Sequence, residues 1–488
     1  MNNALDRRSF LSNSAALTTA LTASAAPAVI ASESVQPPNV LFIVCDQMRG
    51  DALSCLGHPN ARTPHLDRLA REGVLFENAY CNSPVCVPSR MSMFSGLYPH
   101  QTGRLSNRPW GGELLAFENT IAHHFAERGY RLGWVGKNHT YRNDAWQHFD
   151  TVSIRAREPF RRYSRFVPPH WHSDTLWPEE HCHPRLNTDE AIHFLRQQNA
   201  KQPFFLHVSY FDPHPPYMAP ATYTSRYCSA EMQLPPYAPP ASLSQRLDDF
   251  WRGFRMDQVT DADLTETLRY YYASIEWGVD AQVGRIMNAL NQSGLRENTI
   301  VVFTSDHGDF MTDYRLVRKG MFLYDSLLHV PLIWSAPKRL PQHVRSQEPA
   351  QLLDLFPTLA DLTGGPVPDS CEGSSLGPAL QGEPMDRAYL MTSAAYGDVN
   401  PDVTHPGIDL DEEDETPIHT RIMRQSMDPQ HRTKMIRNRE WKLILNENAP
   451  PELYAMENNR HEQRNIYNQT PASTKHPLAQ RLDHWWPW

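Results

Sequence analysis

The 488-residue sequence predicts an α/β fold, in which a doubly wound, mostly parallel sheet is followed by a smaller antiparallel sheet towards the C-terminus. Three observations predict it. Short apolar runs that end in polar or charged residues recur along the first two thirds of the chain. Segments with helical periodicity lie between these runs. From about Gly382 onward, short strand-like segments replace that alternation.

Four apolar runs have the character of buried parallel strands, and each of them ends in polar side chains. They are Asn39–Val44 before Cys45-Asp46-Gln47, Arg131–Val135 before Gly136-Lys137-Asn138-His139, Phe204–Val208 before Phe211-Asp212-Pro213-His214, and Thr299–Thr304 before Ser305-Asp306-His307-Gly308. Ligands of such sheets bind beyond the carboxyl ends of the strands. We therefore expect the four polar clusters to converge on one site.

Helical periodicity is found between the strands, and the remaining connections lack it. The predicted helices are Pro64–Glu72, Glu118–Arg128, Thr188–Gln197 and a long one over Asp263–Leu290. The segments Arg155–Arg185 and Pro213–Trp251 are rich in proline and aromatic residues, which predicts long loops around the mouth of a pocket.

The change of pattern near Gly382 predicts a domain boundary. We expect a catalytic domain over residues 35–381 and a small antiparallel C-terminal subdomain over residues 382–488. Its predicted strands are Ala388–Thr392, Lys434–Arg437 and Trp441–Leu445, followed by Glu452–Tyr454.

Residues 1–32 predict a signal peptide of the twin-arginine type. Arg7 and Arg8 precede Ser9-Phe10-Leu11, and an uncharged run rich in Ala, Ser and Thr continues to Ser32. A membrane anchor is the alternative, but the polar content of the run favours a removed signal. No other stretch approaches about 20 consecutive apolar residues. We expect a periplasmic or secreted protein with no stable membrane insertion after signal removal.

Composition narrows the function classes. The net charge is −9 and 40% of the residues are hydrophobic, which suits a large buried core and gives no indication of a nucleic-acid partner. The seven cysteines include no C-x-x-C pair, which argues against a disulfide scaffold or a structural zinc site.

Cys86 begins the most informative motif of the chain, Cys86-Val87-Pro88-Ser89-Arg90. Taken alone, it could be a small buried cysteine beside a turn. Within Asn82–Gly96, however, this C-x-P-x-R pattern resembles the signature of type I, formylglycine-dependent sulfatases. The resemblance extends over most of the chain, including Thr63–Ala70, Ser95–His100, Asn298–Phe303 and Leu355–Leu359. It implies an alkaline-phosphatase-like fold and hydrolysis of a sulfuric ester.

The resemblance implies how Cys86 would act. A formylglycine-generating enzyme, as a transient partner, would oxidise Cys86 to formylglycine, and the hydrated aldehyde would be the nucleophile. Ser89 and Arg90 would orient this site.

A divalent metal ion is expected beside residue 86. Asp46, Gln47, Asp306 and His307 offer two carboxylates, an amide oxygen and an imidazole, a set that suits an ion preferring oxygen donors. Residue 86 would complete the ligands. Ca²⁺ is the expected ion, with Mn²⁺ or Mg²⁺ as alternatives. Gln47 is the least secure ligand, because it stands where many sulfatases have a second aspartate.

Cations and histidines should surround the transferred group, because negative charge develops on it and on the leaving oxygen. The resemblance assigns Lys137 and His139 from a G-K-x-H element, His214 from an N-P-H-x-P-like element, and Lys319 after the second metal motif; Arg90 adds a further positive charge. The histidines can move protons near neutral pH. Asn138 and Tyr314 depart from common family patterns, which leaves the substrate subtype open.

The expected substrate is a small-molecule or oligosaccharide sulfate ester, with a sulfated carbohydrate favoured, and Asn107 is expected to line its pocket. Two alternatives remain. One is a phosphonate monoester or phosphodiester hydrolase of the same fold, although such relatives tend to replace the K-x-H element that Lys137 and His139 keep here. The other is an inactive sulfatase-like binding protein, against which the intact nucleophile, metal and proton-transfer positions argue.

Overall fold

The computed structural model describes residues 36–107, 113–154, 172–175, 177–199, 201–236, 244–254, 256–395, 432–457 and 461–487. The predicted signal peptide, part of the Arg155–Arg185 segment and part of the Pro213–Trp251 segment lie outside these residues. None of the helices in the described residues combines the length and apolar character needed to span a bilayer.

Sixteen strands lie in the described residues. In chain order, β1 to β8 are Asn39–Asp46, Val74–Phe76, Ala79–Tyr80, Arg131–Gly136, Thr151–Ser153, His172–Asp174, Phe204–Pro213 and Tyr217–Ala219. The next eight, β9 to β16, are Thr299–Ser305, Leu332–Ser335, Val344–Ser346, Ala350–Gln351, Leu390–Ala395, Arg432–Arg437, Trp441–Asn446 and Glu452–Ala455.

The described residues also contain twelve α-helices. In chain order, α1 to α12 are Pro64–Arg71, Cys86–Ser95, Ile121–Glu127, His183–Arg196, Ala221–Thr224, Gln245–Gly253, Asp261–Ile275, Ala281–Gln292, Asp325–Leu328, Leu355–Thr363, Gly377–Leu380 and Ala472–Trp485. A π-helical turn, Glu276–Asp280, joins α7 to α8, so the long helix predicted over Asp263–Leu290 is continuous apart from this turn.

An eight-stranded sheet with the order β11-β2-β10-β9-β1-β7-β4-β5 organises the fold. The pairs of β1 with β7 and β9, and of β4 with β7 and β5, are parallel, while β10 runs antiparallel to β9 and β2. Every residue of β1, β7 and β9 is buried, as expected for the apolar runs from which they were predicted. The sheet is thus mostly parallel, as the sequence predicts.

The predicted loops contain more regular structure than expected. Helix α4 begins at His183, five residues before the predicted start, because Pro184 occupies the first turn, where its missing N–H costs no hydrogen bond. Strands β6 and β8 pair in parallel as a separate two-stranded sheet, and α5 and α6 lie in the Pro213–Trp251 segment. The proline-rich segments therefore contain the first turns of helices as well as loops.

Strands β13 to β16 form a separate four-stranded antiparallel sheet, as predicted for the C-terminal part of the chain. Leu478 and Leu482 of α12 pack against apolar side chains of this sheet. Lys442 of β15 is fully buried, and its Nζ lies 2.8 Å from Asp325 Oδ1 and 2.6 Å from Glu462 Oε1. The pair with Asp325 connects the small sheet to α9.

Candidate active site

The carboxyl ends of β1 and β9 bring two aspartates to the same level of the sheet. In the parallel register, Cys45 lies opposite Ser305, so Asp46 and Asp306 follow side by side. Both aspartates and the adjacent His307 are fully buried. Gln47 N donates a 3.1 Å hydrogen bond to Asp306 Oδ1, which links the two strand ends directly. The predicted convergence of these two clusters is therefore observed.

Cys86 is the first residue of α2 and lies against this pair of strand ends. Its Sγ is 3.6 Å from Asp46 Oδ1, 3.3 Å from His307 Nε2 and 2.8 Å from Lys319 Nζ. Pro88 is accommodated in the first turn of the helix. The N-terminal end of a helix favours negative charge, so residue 86 stands where an anionic side chain is stabilised.

Four side chains form a cluster with the composition of a metal site. One ligand atom from each of Asp46, Cys86, Asp306 and His307 lies within 4.8 Å of the others. His307 Nδ1 donates a 2.8 Å hydrogen bond to Gly308 O, which directs Nε2 into the cluster, and such a bond to a backbone carbonyl is typical of metal-binding histidines.

Gln47 supports the fit of a cation to this cluster. Its Nε2 donates to Asp309 Oδ2 at 2.6 Å, while its Oε1 is buried without a hydrogen-bond partner among the described residues. A buried carbonyl oxygen without a partner is costly unless a cation or water satisfies it. Two carboxylates and this amide oxygen form a donor set suited to a hard divalent ion.

The buried carboxylates are held by two cations that were predicted to belong to the site. Lys137 Nζ donates to Asp46 Oδ2. Arg90 Nε donates to Asp306 Oδ2 at 2.7 Å, and its Nη1 donates to Ser209 Oγ at 2.7 Å. Burial and the charge of Cys86 would raise the pKa of Asp46, but Lys137 holds it below its ordinary value.

The same cations act on the cysteine. Burial would raise the pKa of Cys86, but the charges of Lys137, Lys319 and His307 hold it well below its ordinary value, with a hydrogen bond from His139 acting in the same direction. Burial and the neighbouring Lys137 lower the pKa of His139, so this histidine favours its neutral form. The site as a whole therefore stabilises an anionic group at residue 86.

His214 and Asn107 complete the predicted set. His214 Nδ1 donates a 2.8 Å hydrogen bond to Pro215 O, which leaves Nε2 as the nitrogen able to exchange a proton, and its charge acts on Asp46. Asn107 Oδ1 accepts a 2.8 Å bond from Val87 N, and its Nδ2 lies 3.7 Å from Cys86 Sγ. The structure thus brings all the predicted site residues around Cys86 and its ligand cluster.

Three supporting residues were not identified from the sequence. Asp309 holds the Gln47 amide, and it also accepts a 2.7 Å bond from the Tyr217 hydroxyl. Ser209 holds Arg90. Asp309 follows Asp306 by three residues and Ser209 directly follows the predicted strand Phe204–Val208, so their positions near the motifs were the available signal.

Comparison with known proteins places these motifs in one family. Residues 38–365 match the sequence model of the Sulfatase family. An arylsulfatase of Clostridium perfringens is 33% identical over 379 residues, which cover 70% of this chain and 77% of that protein. A Δ4,5-hexuronate-2-O-sulfatase of Bacteroides thetaiotaomicron is 29% identical over 405 residues, covering 77% of this chain and 79% of that protein.

Solved structures share the fold. A phosphonate monoester hydrolase of Agrobacterium radiobacter superposes with a TM-score of 0.73 at 23% identity, covering 91% of this chain and 94% of its own. A protein solved with its substrate D-glucosamine-2-N,6-O-disulfate gives a TM-score of 0.69 at 22% identity, covering 92% and 97%. The alkaline-phosphatase-like fold expected from the sequence is confirmed.

Proposed function

Because the chain belongs to the sulfatase family and is an enzyme that hydrolyses sulfate esters, we propose that it acts on a sulfated carbohydrate through a formylglycine at position 86 and a divalent metal ion. The observation that carries this proposal is the position of Cys86. The side chain that matches the family's nucleophile precursor lies among two aspartates, an imidazole and Lys319. A solvent-exposed or isolated Cys86 would have argued against it.

The overall reaction consumes one water molecule and releases an alcohol and inorganic sulfate. Oxidised to formylglycine and hydrated, residue 86 would supply the attacking hydroxyl. A divalent ion, for which we propose Ca²⁺, would be held by Asp46, Gln47, Asp306 and His307, with residue 86 as a further ligand, and would lower the pKa of that hydroxyl and offset charge on the sulfate.

The protein's own cations prepare the site for the transferred group. Lys319 Nζ lies within hydrogen-bond distance of both the residue 86 side chain and His307 Nε2, so it can also donate to a sulfate oxygen. Lys137 and Arg90 are fixed by Asp46 and Asp306, which keeps their charges oriented without reorganisation during the reaction. Interactions of this kind are each worth about 10²–10³ in rate.

Two histidines are assigned to proton transfer. Since Nδ1 of His214 is engaged by Pro215 O, a proton for the departing alcohol oxygen would be delivered from Nε2. His139 is held neutral by burial and by Lys137, so it can accept a proton from residue 86. The two roles need opposite protonation states, and the surroundings of His139 account for the neutral one.

The phosphonate monoester alternative shares the fold, which by itself does not choose between sulfate and phosphonate. The observation that favours sulfate is the retention of Lys137 and His139 as buried or largely buried neighbours of Asp46 and Cys86. The carbohydrate assignment is supported by the hexuronate sulfatase named among the relatives. The binding-protein alternative disagrees with membership of this enzyme family.

A paired-substrate assay tests the proposal. Purified protein, co-expressed with a formylglycine-generating enzyme, is given 4-nitrophenyl sulfate and 4-nitrophenyl phenylphosphonate, which share one leaving group. We expect a higher kcat/KM for the sulfate, release of inorganic sulfate, and almost no turnover by Cys86→Ala. A clear preference for the phosphonate would move the protein to the alternative reaction.

We also propose that residues 1–32 direct the folded protein through the twin-arginine route to the periplasm or the medium. The support is the Arg7-Arg8 pair and the uncharged run rich in Ala, Ser and Thr that follows it. Cell fractionation of the wild type and of an Arg7→Lys, Arg8→Lys variant tests this. Equal export of both proteins would rule out the route.

A further inference from the structure

Arg318 is a cation beside the active site that the proposed reaction does not use. Its side chain is partly exposed, and its guanidinium makes no hydrogen bond or ion pair with any of the described residues. Other arginines of the same region are engaged: Arg49 pairs with Asp51 and Asp313, and Arg315 pairs with Asp261. Arg318 therefore has donors available for a ligand.

The position of Arg318 is set by its neighbours. It directly precedes Lys319, whose Nζ lies 2.8 Å from Cys86 Sγ, and its own carbonyl accepts a 2.8 Å bond from Phe310 N. Its charge acts on Tyr217 and Asp309, and Asp309 holds the side chain of Gln47. Asp309 is therefore a neighbour that Arg318 and Gln47 have in common.

Asp309 forms no hydrogen bond or salt bridge with the Arg318 side chain, and its carboxylate oxygens are engaged by other groups. Its Oδ2 already accepts bonds from Gln47 Nε2 and the Tyr217 hydroxyl, and its Oδ1 accepts a 2.8 Å bond from Met311 N. A partly buried arginine without a salt bridge is costly, because burial disfavours its charge. A bound anion would remove that cost.

The backbone of Arg318 is also unusual. Its φ is +71°, in the left-handed region that favours glycine. A non-glycine residue there costs of order 1 kcal/mol or more, and such positions cluster at functional sites. The local backbone thus disfavours an arginine at this position, yet an arginine is present.

We propose that Arg318 binds a second anionic group of the substrate, a carboxylate or a second sulfate, while Lys319 and the residues around Cys86 hold the sulfate that reacts. The inference rests on the proposed function and narrows it to substrates with at least two negative groups. A planar guanidinium with free N–H groups matches a carboxylate or a sulfate with two parallel hydrogen bonds. Arg318 is thus a specificity-determining residue.

Arg318→Gly is the informative variant, because glycine removes the side chain and suits the positive φ, so that the fold should be retained. Arg315→Gly is a matched control: Arg315 also has a positive φ, +58°, and it pairs with Asp261, which is not one of the site residues. The probes are glucose sulfates, glucuronic acid sulfates and glucose disulfates, each measured as a substrate and as an inhibitor of 4-nitrophenyl sulfate hydrolysis.

The wild type should bind the dianionic sugars more tightly than the singly sulfated glucoses, as inhibitors or substrates. Arg318→Gly should weaken the dianionic sugars by about tenfold to a hundredfold, the range for hydrogen bonds to charged groups. It should change 4-nitrophenyl sulfate and singly sulfated glucose less than about threefold. A preference for glucuronic acid sulfates identifies the carboxylate as the second group, and a preference for disulfates identifies a sulfate.

Equal loss on singly charged and dianionic sugars in Arg318→Gly would overturn the inference, and so would an equal selective loss in Arg315→Gly. Wild-type protein that hydrolyses 4-nitrophenyl sulfate without preferring any dianionic sugar would overturn it while leaving the proposed function intact. Wild-type protein that releases no sulfate from any probe would instead refute the proposed function.

Discussion

Replacing Asp306 with asparagine tests the charge arrangement of the site, and the expected loss of folding free energy can be estimated. Asp306 Oδ2 accepts a 2.7 Å bond from Arg90 Nε, and neither side chain is exposed. Asparagine keeps the size of the side chain but leaves the Arg90 charge buried without its partner. Breaking such a pair costs about 3–5 kcal/mol, in line with roughly 4 kcal/mol for charges 4 Å apart at an effective dielectric constant near 20.

That free energy converts into a measurable temperature shift. An unfolding entropy of about 2.1 cal/mol/K per residue, over 488 residues, corresponds to roughly 1 kcal/mol/K. In chelator, Asp306→Asn should therefore melt about 3–5 °C below the wild type. A ligand at a hundred times its Kd stabilises by about 2.7 kcal/mol, so saturating Ca²⁺ should raise the wild-type Tm by roughly 3 °C and leave the variant unchanged.

The assay is differential scanning calorimetry with and without Ca²⁺, with sulfate release measured on the same samples. Sulfate release by the variant should fall by about 10³ or more, which is roughly 4 kcal/mol of barrier. Asp361→Asn is the control, because Asp361 is exposed and bonded only to Ser375 among the described contacts. A variant that melts with the wild type in chelator, responds to Ca²⁺ and turns over substrate would contradict the role assigned to Asp306.

Other expected outcomes follow from the same contacts. Mass spectrometry of the active protein should find formylglycine at position 86, and an unmodified Cys86 in a fully active sample would contradict the mechanism. Lys319→Ala should lower kcat/KM by about 10²–10³, whereas Lys338→Ala, at an exposed position, should leave it within twofold; equal effects would remove Lys319 from the site. Chelator should abolish sulfate release and Ca²⁺ should restore it; full activity in metal-free protein would exclude the ion. The hydrogen bond to Asp313 raises the pKa of His461 above its ordinary value near 6.5, so the pair stabilises the fold fully below that pH and loses its contribution as pH rises through the raised pKa. The free energy of unfolding of His461→Gln should therefore depend less on pH above 6.5 than that of the wild type, and identical pH profiles would contradict this.

The main sheet and most of the site could be predicted because both depend on strong local patterns. Apolar runs that are buried on both faces identified the central strands, and their polar ends met because parallel strands finish at one edge. Short motifs identified Cys86, Lys137 and Lys319, and such motifs can be read directly from the sequence.

Strand pairing and side-chain contacts between residues far apart in the sequence could not be predicted in the same way. The antiparallel strand β10 is a four-residue apolar segment that periodicity does not distinguish from a buried turn of helix. The bond from Gln47 to Asp309 joins residues 262 positions apart, and nothing local to Gln47 indicates it. Arg318 is informative because its guanidinium has no partner among the residues that the structure describes, which a sequence cannot reveal.

The enclosure of Cys86 sets an order of events for maturation. The side chain is 1% exposed, and every residue of α2 is buried. An enzyme that oxidises this thiol would need the α2 segment to be unfolded or exposed. The proposed conversion would therefore have to take place before α2 packs against β1 and β9. Native, unmodified protein should resist conversion by an added formylglycine-generating enzyme, while the urea-unfolded chain should accept it. Conversion of the native protein at an equal rate would contradict this order. The yield of active enzyme would then depend on the rate of modification relative to the rate of folding. Slower folding, for example at lower temperature, should increase the modified fraction.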